Sequence, residues 1–188
     1  MNADAIALIL LAAGRGTRFG GGKLAVPLLD KPLARHAADM LATIGFCAHL
    51  AVVGPDTPPL PGYTPIALDP PGAPQSRSLA LGIAAARAQG AAAVLIALAD
   101  MPLVPVDHVH AMIRQFDGDR LASRGPETIL PPVLFGARHF DALGTLQGDR
   151  GAGALLRDAP CLPLSADAAL DVDQAADLAR AAYLLAYR

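Results

Sequence analysis

Leu11-Ala12-Ala13-Gly14-Arg15-Gly16-Thr17-Arg18-Phe19-Gly20-Gly21-Gly22-Lys23 follows directly on the aliphatic run Ile6 to Leu11. A short continuous apolar run of strand length predicts a strand covered on both faces. The segment behind it holds five glycines, two arginines and a lysine. Glycine lets a backbone come close to a ligand and turn its N–H groups inward, and arginine and lysine add full positive charge. The stretch therefore reads as a cradle for phosphate. Two common cradles fail on spacing. A dinucleotide fingerprint needs glycine where Phe19 stands, and a P-loop ending on Lys23 needs glycine at Thr17 and Ser or Thr at Leu24.

Around this loop the chain is poor in charge. Of 188 residues, 53% are hydrophobic and 17% charged, below the roughly 25% charged of soluble domains. The 15 Lys+Arg comprise 13 arginines and two lysines, Lys23 and Lys31, and the 17 Asp+Glu comprise 16 aspartates and Glu127 alone. Both lysines stand at or just after the end of the glycine-rich loop, which argues against a merely flexible turn with solvated cations. Near-neutral charge and ample aliphatic bulk exclude a disordered chain and predict one domain over residues 1–188. No Lys/Arg run marks a nucleic-acid or anionic-membrane surface, so neither is expected as a partner. Cys47 and Cys161 lack partners at metal spacing and suggest no disulfide framework. The apolar run Ala5 to Ala13 is too short to span a membrane and lacks the basic flank of a signal peptide, so a cytoplasmic location is expected.

Hydrophobic period and punctuation predict strands at Ile6–Leu11, Cys47–Val53, Ile66–Leu68, Ala93–Leu98, Val133–Phe135 and Leu162–Leu164. They predict helices at Leu33–Ile44, Ser76–Gln89, Val106–Phe116, His139–Leu146 and Ala152–Arg157, with a final helix to about Tyr187. Such alternation implies βαβ units, a mainly parallel sheet wrapped by helices, and ligands beyond the carboxyl ends of the strands.

The loop matches the pattern L-A-A-G-x-G-x-R-(M/F)-G-x-x-K, and the chain on these residues resembles nucleotidyltransferases of the molybdenum-cofactor type, the molybdopterin cytidylyltransferases and guanylyltransferases. Further elements follow in order: Asp30-Lys31-Pro32-Leu33, Gln75-Ser76-Arg77-Ser78-Leu79, Ala97-Leu98-Ala99-Asp100-Met101-Pro102-Leu103-Val104, Pro132-Val133-Leu134-Phe135, Gly148-Asp149-Arg150-Gly151-Ala152, and Asp171-Val172-Asp173 with Asp177. The Gly-Asp-Arg-Gly-Ala element is similar to that of the cytidylyl branch and separates the chain from sugar-nucleotide pyrophosphorylases. The resemblance implies a three-layer αβα, Rossmann-like nucleotidyltransferase fold of GT-A-like type with a mainly parallel mixed sheet.

It also implies roles. Leu11, Ala12, Ala13, Gly14, Gly16, Arg18, Lys23, Asp69 and Ser78 would bind nucleotide, with Arg18, Lys23 and Asp100 catalytic. Asp100, together with Asp173 or Asp171, would hold Mg²⁺, hard oxygen donors for a hard ion. Asp149 and Arg150 would face the acceptor. Local alternatives stand beside these: a solvated amine for Lys23, helix caps for Asp100, Asp173 and Ser78, and a local ion pair for Asp149 and Arg150. The L-A-A-G form goes with CTP in the family, whereas L-A-G-G goes with GTP. The implied reaction is CMP transfer from CTP to molybdopterin with release of pyrophosphate, in company with a molybdoenzyme or its chaperone. Guanylyl transfer, sugar-1-phosphate nucleotidyl transfer and a non-catalytic cofactor-binding chaperone are the alternatives. Pro74, Ala99 and Leu130 stand where the family pattern has glycine, and Leu130 is placed to crowd the acceptor pocket.

Overall fold

The computed structural model describes residues 1–14, 16, 19, 21–148 and 151–187. β1 (Ile6–Ala12) is buried along its whole length. A 3-10 turn at Lys23–Ala25 leads to the two-residue strands β2 (Pro27–Leu28) and β3 (Lys31–Pro32) and then α1 (Leu33–Ala42). After these come β4 (Ala48–Val53), β5 (Thr64–Ala67), α2 (Gln75–Ala88), β6 (Ala93–Leu98) and α3 (Val106–Gln115). The chain continues through β7 (Arg120–Arg124), β8 (Ile129–Gly136), α4 (Phe140–Gly144), β9 (Cys161–Pro163) and α5 (Ala175–Ala186). Among the described residues no helix is long and apolar enough to cross a membrane.

Seven strands form one sheet in the order β5-β4-β1-β6-β8-β7-β9, and β8 alone runs against the other six. β1 lies between two parallel partners, which is why its sequence is apolar without alternation. Its side chains still divide by parity. Ile6, Leu8, Leu10 and Ala12 join the core shared with Leu33 and Leu41 of α1, Val109 and Met112 of α3 and Ala181 of α5. Ala7, Ile9 and Leu11 join the other core with Leu79 and Ile83 of α2 and Phe140 and Leu143 of α4. The sheet is thus the middle of three layers, and burying each large aliphatic side chain of β1 contributes about 1.5–3 kcal/mol.

The expected strand–helix order holds, with four corrections. β7 and the small β2–β3 pair were not expected. Leu121, Ala122 and Ser123 of β7 are all buried, so the segment lacks the period-2 signal, and it becomes a strand by pairing with β8 and β9. Beyond Gly151 the expected helix is a 3-10 turn, Ala152–Leu156. The expected helix His139–Leu146 is a 3-10 turn at Ala137–His139 followed by the short α4. The helix start read near Ser76 lies one residue earlier, after Pro74, whose φ of −58° leads into the helix without an N–H to satisfy.

Candidate active site

Strand register sets the site. Ala12 is level with Val53, Val53 with Ala67, and Leu11 with Leu98, so the segments leaving β1, β4, β5 and β6 emerge along one edge of the sheet. The Ala99 N–H donates to the Leu11 carbonyl at 3.1 Å and carries the β1–β6 pairing past the end of the strand, which delivers Asp100 beside the glycine-rich loop.

Two glycines shape the loop's return. Gly16 has φ +52°, and its carbonyl accepts the N–H groups of Phe19 at 2.8 Å and Gly21 at 3.2 Å. A Cβ on Gly16 would stand 2.8 Å from Lys23 Cβ, so only glycine lets the lysine pack there. Gly22, with φ +63°, then starts the 3-10 turn that aims Lys23 inward. Lys23 is 6% exposed and donates to Asp100 Oδ2 at 2.8 Å and to Asp173 Oδ1 at 3.1 Å. Burial pushes its pKa down, and Asp100, then Asp173 and Asp171, push it up further, so the ammonium is held above its ordinary range. The solvated-amine alternative is thereby excluded.

The acidic side comes from two ends of the chain. Val172 is fully buried and its N–H donates to the Asp100 carbonyl at 3.0 Å, which docks the segment 171–173 onto the end of β6. Asp177 accepts the N–H groups of Asp173 at 3.0 Å and Gln174 at 2.9 Å, and Gln174 caps α5. Asp173 is therefore not the cap, and its carboxylate is turned to Lys23. Asp100 caps nothing either, since α3 starts after Pro105. Asp171 is open to solvent on one side, yet packing around its carboxyl, and then the charge of Asp100, push it up to about 7, while Lys23 pulls it down. The Lys23 ammonium thus bridges two carboxylates, Asp100 and Asp173, with Asp171 close by.

This donor set suits a divalent cation. Asp100 and Asp173 are hard oxygen donors already converging on a common positive charge, and Mg²⁺ is commonly held by one or two carboxylates plus substrate phosphates. Among the described residues no three His, Cys, Asp or Glu side chains form a ready-made metal cage.

Among the described residues three neighbouring cavities that share lining residues lie along the sheet edge. One of about 270 Å³ lies between Ala13, Gly14 and Lys23 on one side and Gly54, Asp56, Thr57 and Gly72 on the other. A second, of about 320 Å³, is bounded by Leu11, Gly14, Gln75, Ser78, Asp100 and Asp171. The third, about 150 Å³, is mostly aliphatic, with Leu79, Ile96, Ile129, Leu130 and Leu156 around Gln75 and Gly151. The expected residues Leu11, Ala13, Gly14, Lys23, Ser78 and Asp100 line these spaces. Ala12 is buried behind them, and its carbonyl accepts the Thr57 hydroxyl. Ser78 is buried within the first turns of α2 and does not cap it. Asp69 is exposed beyond β5, outside the three linings, with its carbonyl accepting Arg77 Nε at 3.2 Å. Arg18, Asp149 and Arg150 lie outside the described residues. Sequence reading gave no role to Asp56, Thr57 or Gln75. Gly54-Pro55-Asp56-Thr57 follows β4 directly, so a search of every strand end finds it.

The sequence profile of the MobA-like NTP transferase domain matches residues 8–167. The purine catabolism protein PucB of Bacillus subtilis strain 168 is 27% identical over 183 residues, 90% of this chain and 88% of its own length. The crystal structure of Rv0371c from Mycobacterium tuberculosis H37Rv superposes with a TM-score of 0.83 at 23% identity, over 95% of this chain and 98% of its own. The same protein has been crystallised in complex with manganese. A nucleotidyl transferase from Methanothermobacter superposes with a TM-score of 0.79 at 19% identity, over 97% of this chain and 99% of its own.

Proposed function

Because the chain belongs to the MobA-like NTP transferase family and is a nucleotidyltransferase, we propose that it transfers CMP from CTP to a molybdopterin-type cofactor, releasing pyrophosphate with the help of Mg²⁺. The observation that carries this reading is the grip of Lys23 on Asp100 and Asp173 at the strand-end edge, beside the glycine-rich loop. It puts a buried cation and two hard carboxylates where a triphosphate reaching over Gly14 would arrive.

In the reaction an oxygen of the acceptor phosphate attacks the α-phosphorus in line, a new P–O bond forms, and the bond to the β-phosphate breaks. The acceptor is already ionised, so no side chain has to remove a proton. The work left to the protein is positioning and charge. A divalent ion held by Asp100 and Asp173 would supply Lewis-acid stabilisation across the phosphates. The backbone of Gly14 lies open for close approach, and Gly16 and Arg18 are assigned to the triphosphate with Lys23. Lys23 neutralises charge as it develops on the departing pyrophosphate. Ala13 leaves space for the base beside the loop 54–57. The aliphatic cavity under Leu130 is assigned to the body of the acceptor, whose phosphate Asp149 and Arg150 would orient. Asp69 is assigned to the ribose side. The manganese complex of Rv0371c supports divalent-metal use in this fold. A molybdoenzyme or its chaperone would receive the product.

The test is pyrophosphate release from each of the four NTPs with Mg²⁺ and molybdopterin. Turnover with CTP is expected, falling about a hundredfold or more in Asp100→Asn and Lys23→Ala, the scale of losing one preorganised charge at a transition state. Turnover with GTP would move the assignment to guanylyl transfer. Turnover with a sugar 1-phosphate and none with the pterin would discard the acceptor.

A further inference from the structure

The ammonium of Lys23 stands where a bound cation would stand: 2.8 Å from Asp100 Oδ2 and 3.1 Å from Asp173 Oδ1, and almost wholly buried. One cation position between the same oxygens cannot hold the ammonium and a divalent ion together. Coulomb repulsion between the two at contact distance adds to the steric conflict. We infer that Lys23 is a place-holder for the divalent ion, occupying its seat while the site is empty of metal and moving out toward the triphosphate cavity when the ion arrives. This rests on the metal-assisted reading above and adds a coupling to it.

Three observations support the exchange. Without a cation between them the carboxylates of Asp100 and Asp173 would repel each other, so the lysine helps hold the docked segment 171–173 before metal binds. Lys23 also lines the cavity next to Gly14 and Gly22, so its long side chain has an adjoining space to swing into without unfolding its turn. Finally, an ammonium displaced from two carboxylates needs new negative charge, and a triphosphate in that cavity provides it. Metal and triphosphate should therefore assist each other, because each supplies what the other's arrival removes. Such linkage is reciprocal by thermodynamic necessity.

The chain has two lysines, which makes the movement directly readable. Lys31, paired with Asp39 at 2.8 Å on the surface, serves as the internal reference. The full-length wild type is labelled briefly with acetic anhydride, with and without saturating Mn²⁺, and the Lys23 to Lys31 labelling ratio is read by peptide mass spectrometry. Saturation is checked by calorimetric titration of Mn²⁺, with Asp100→Asn as the non-binding control. The ratio is expected to rise about tenfold, an ordinary size for coupling between two ligands. In parallel, Lys23→Met without nucleotide is expected to bind Mn²⁺ about tenfold more tightly than wild type, since its competitor is gone. An unchanged labelling ratio with Mn²⁺ bound overturns the place-holder role and leaves the enzyme assignment standing. Failure of wild type to bind Mn²⁺ at all, with and without CTP, overturns the place-holder role and the metal-assisted reading on which it rests. Should Lys23→Met not fold, the labelling of wild type decides alone.

Discussion

Lys23 shows what one residue does when charge is scarce. Its rarity and its position at the end of a glycine-rich loop made it legible in the sequence. Its partners were not, because Asp100 lies 77 and Asp173 150 residues away. Nor could the sequence choose between cap and ligand for Asp173, since both roles use a carboxylate just before a helix. The structure removes the cap, because Gln174 and Asp177 take the capping bonds, and it turns the Asp173 carboxylate to the lysine. Gly16 gives a test at this scale. Gly16→Ala places a methyl 2.8 Å from Lys23 Cβ on a backbone with φ +52°. The left-handed conformation alone costs about 1–2 kcal/mol. The variant should melt lower by calorimetry, and its KM for nucleotide should rise as Lys23 is pushed aside. Wild-type values for both would show that the loop adapts.

At the scale of elements, β1, β4, β6 and the helices α1, α2 and α3 were readable because each carries a local pattern, a largely apolar run of strand length or a helical stripe. β7 carries none, and its pairing with β8 and β9 makes it a strand. α2 shows how an element is fitted to the sheet. Gly82 lies over β1, and a Cβ there would come within 2.6 Å of Ile9 Cγ2, whose side chain is completely buried. Alanine would improve helix propensity by at most about 1 kcal/mol. Overpacking a closed core costs about 1–3 kcal/mol. Gly82→Ala should therefore lower the urea midpoint, and a rise in midpoint would mean that α2 can slide on the sheet. Because α2 also carries Gln75 and Ser78 into the cavities, the same variant should reduce turnover.

Over the whole molecule, two hydrophobic cores on opposite faces share β1 and β6, with alternate residues of the same strands serving each. Neither face can come apart without stripping the strands that hold the other. The expectation of one domain over residues 1–188 then becomes a calorimetric statement. The chain should unfold in one transition with agreeing calorimetric and van't Hoff enthalpies near about 130 kcal/mol, the usual value for this length near 60 °C. Two separated transitions would show that the faces are independent units. The amino-acid sequence by itself determined the alternation of strand and helix over most of the chain, and it set glycine and positive charge together directly after β1. Those follow from side-chain volume, glycine's freedom and hydrophobic period, which act between near neighbours. Only the tertiary structure decided that β8 runs backward, that a buried β7 completes the sheet, and that one lysine sits between carboxylates from distant segments. These depend on the path of the chain in space, since Coulomb attraction and strand pairing act on distance and are indifferent to separation along the chain.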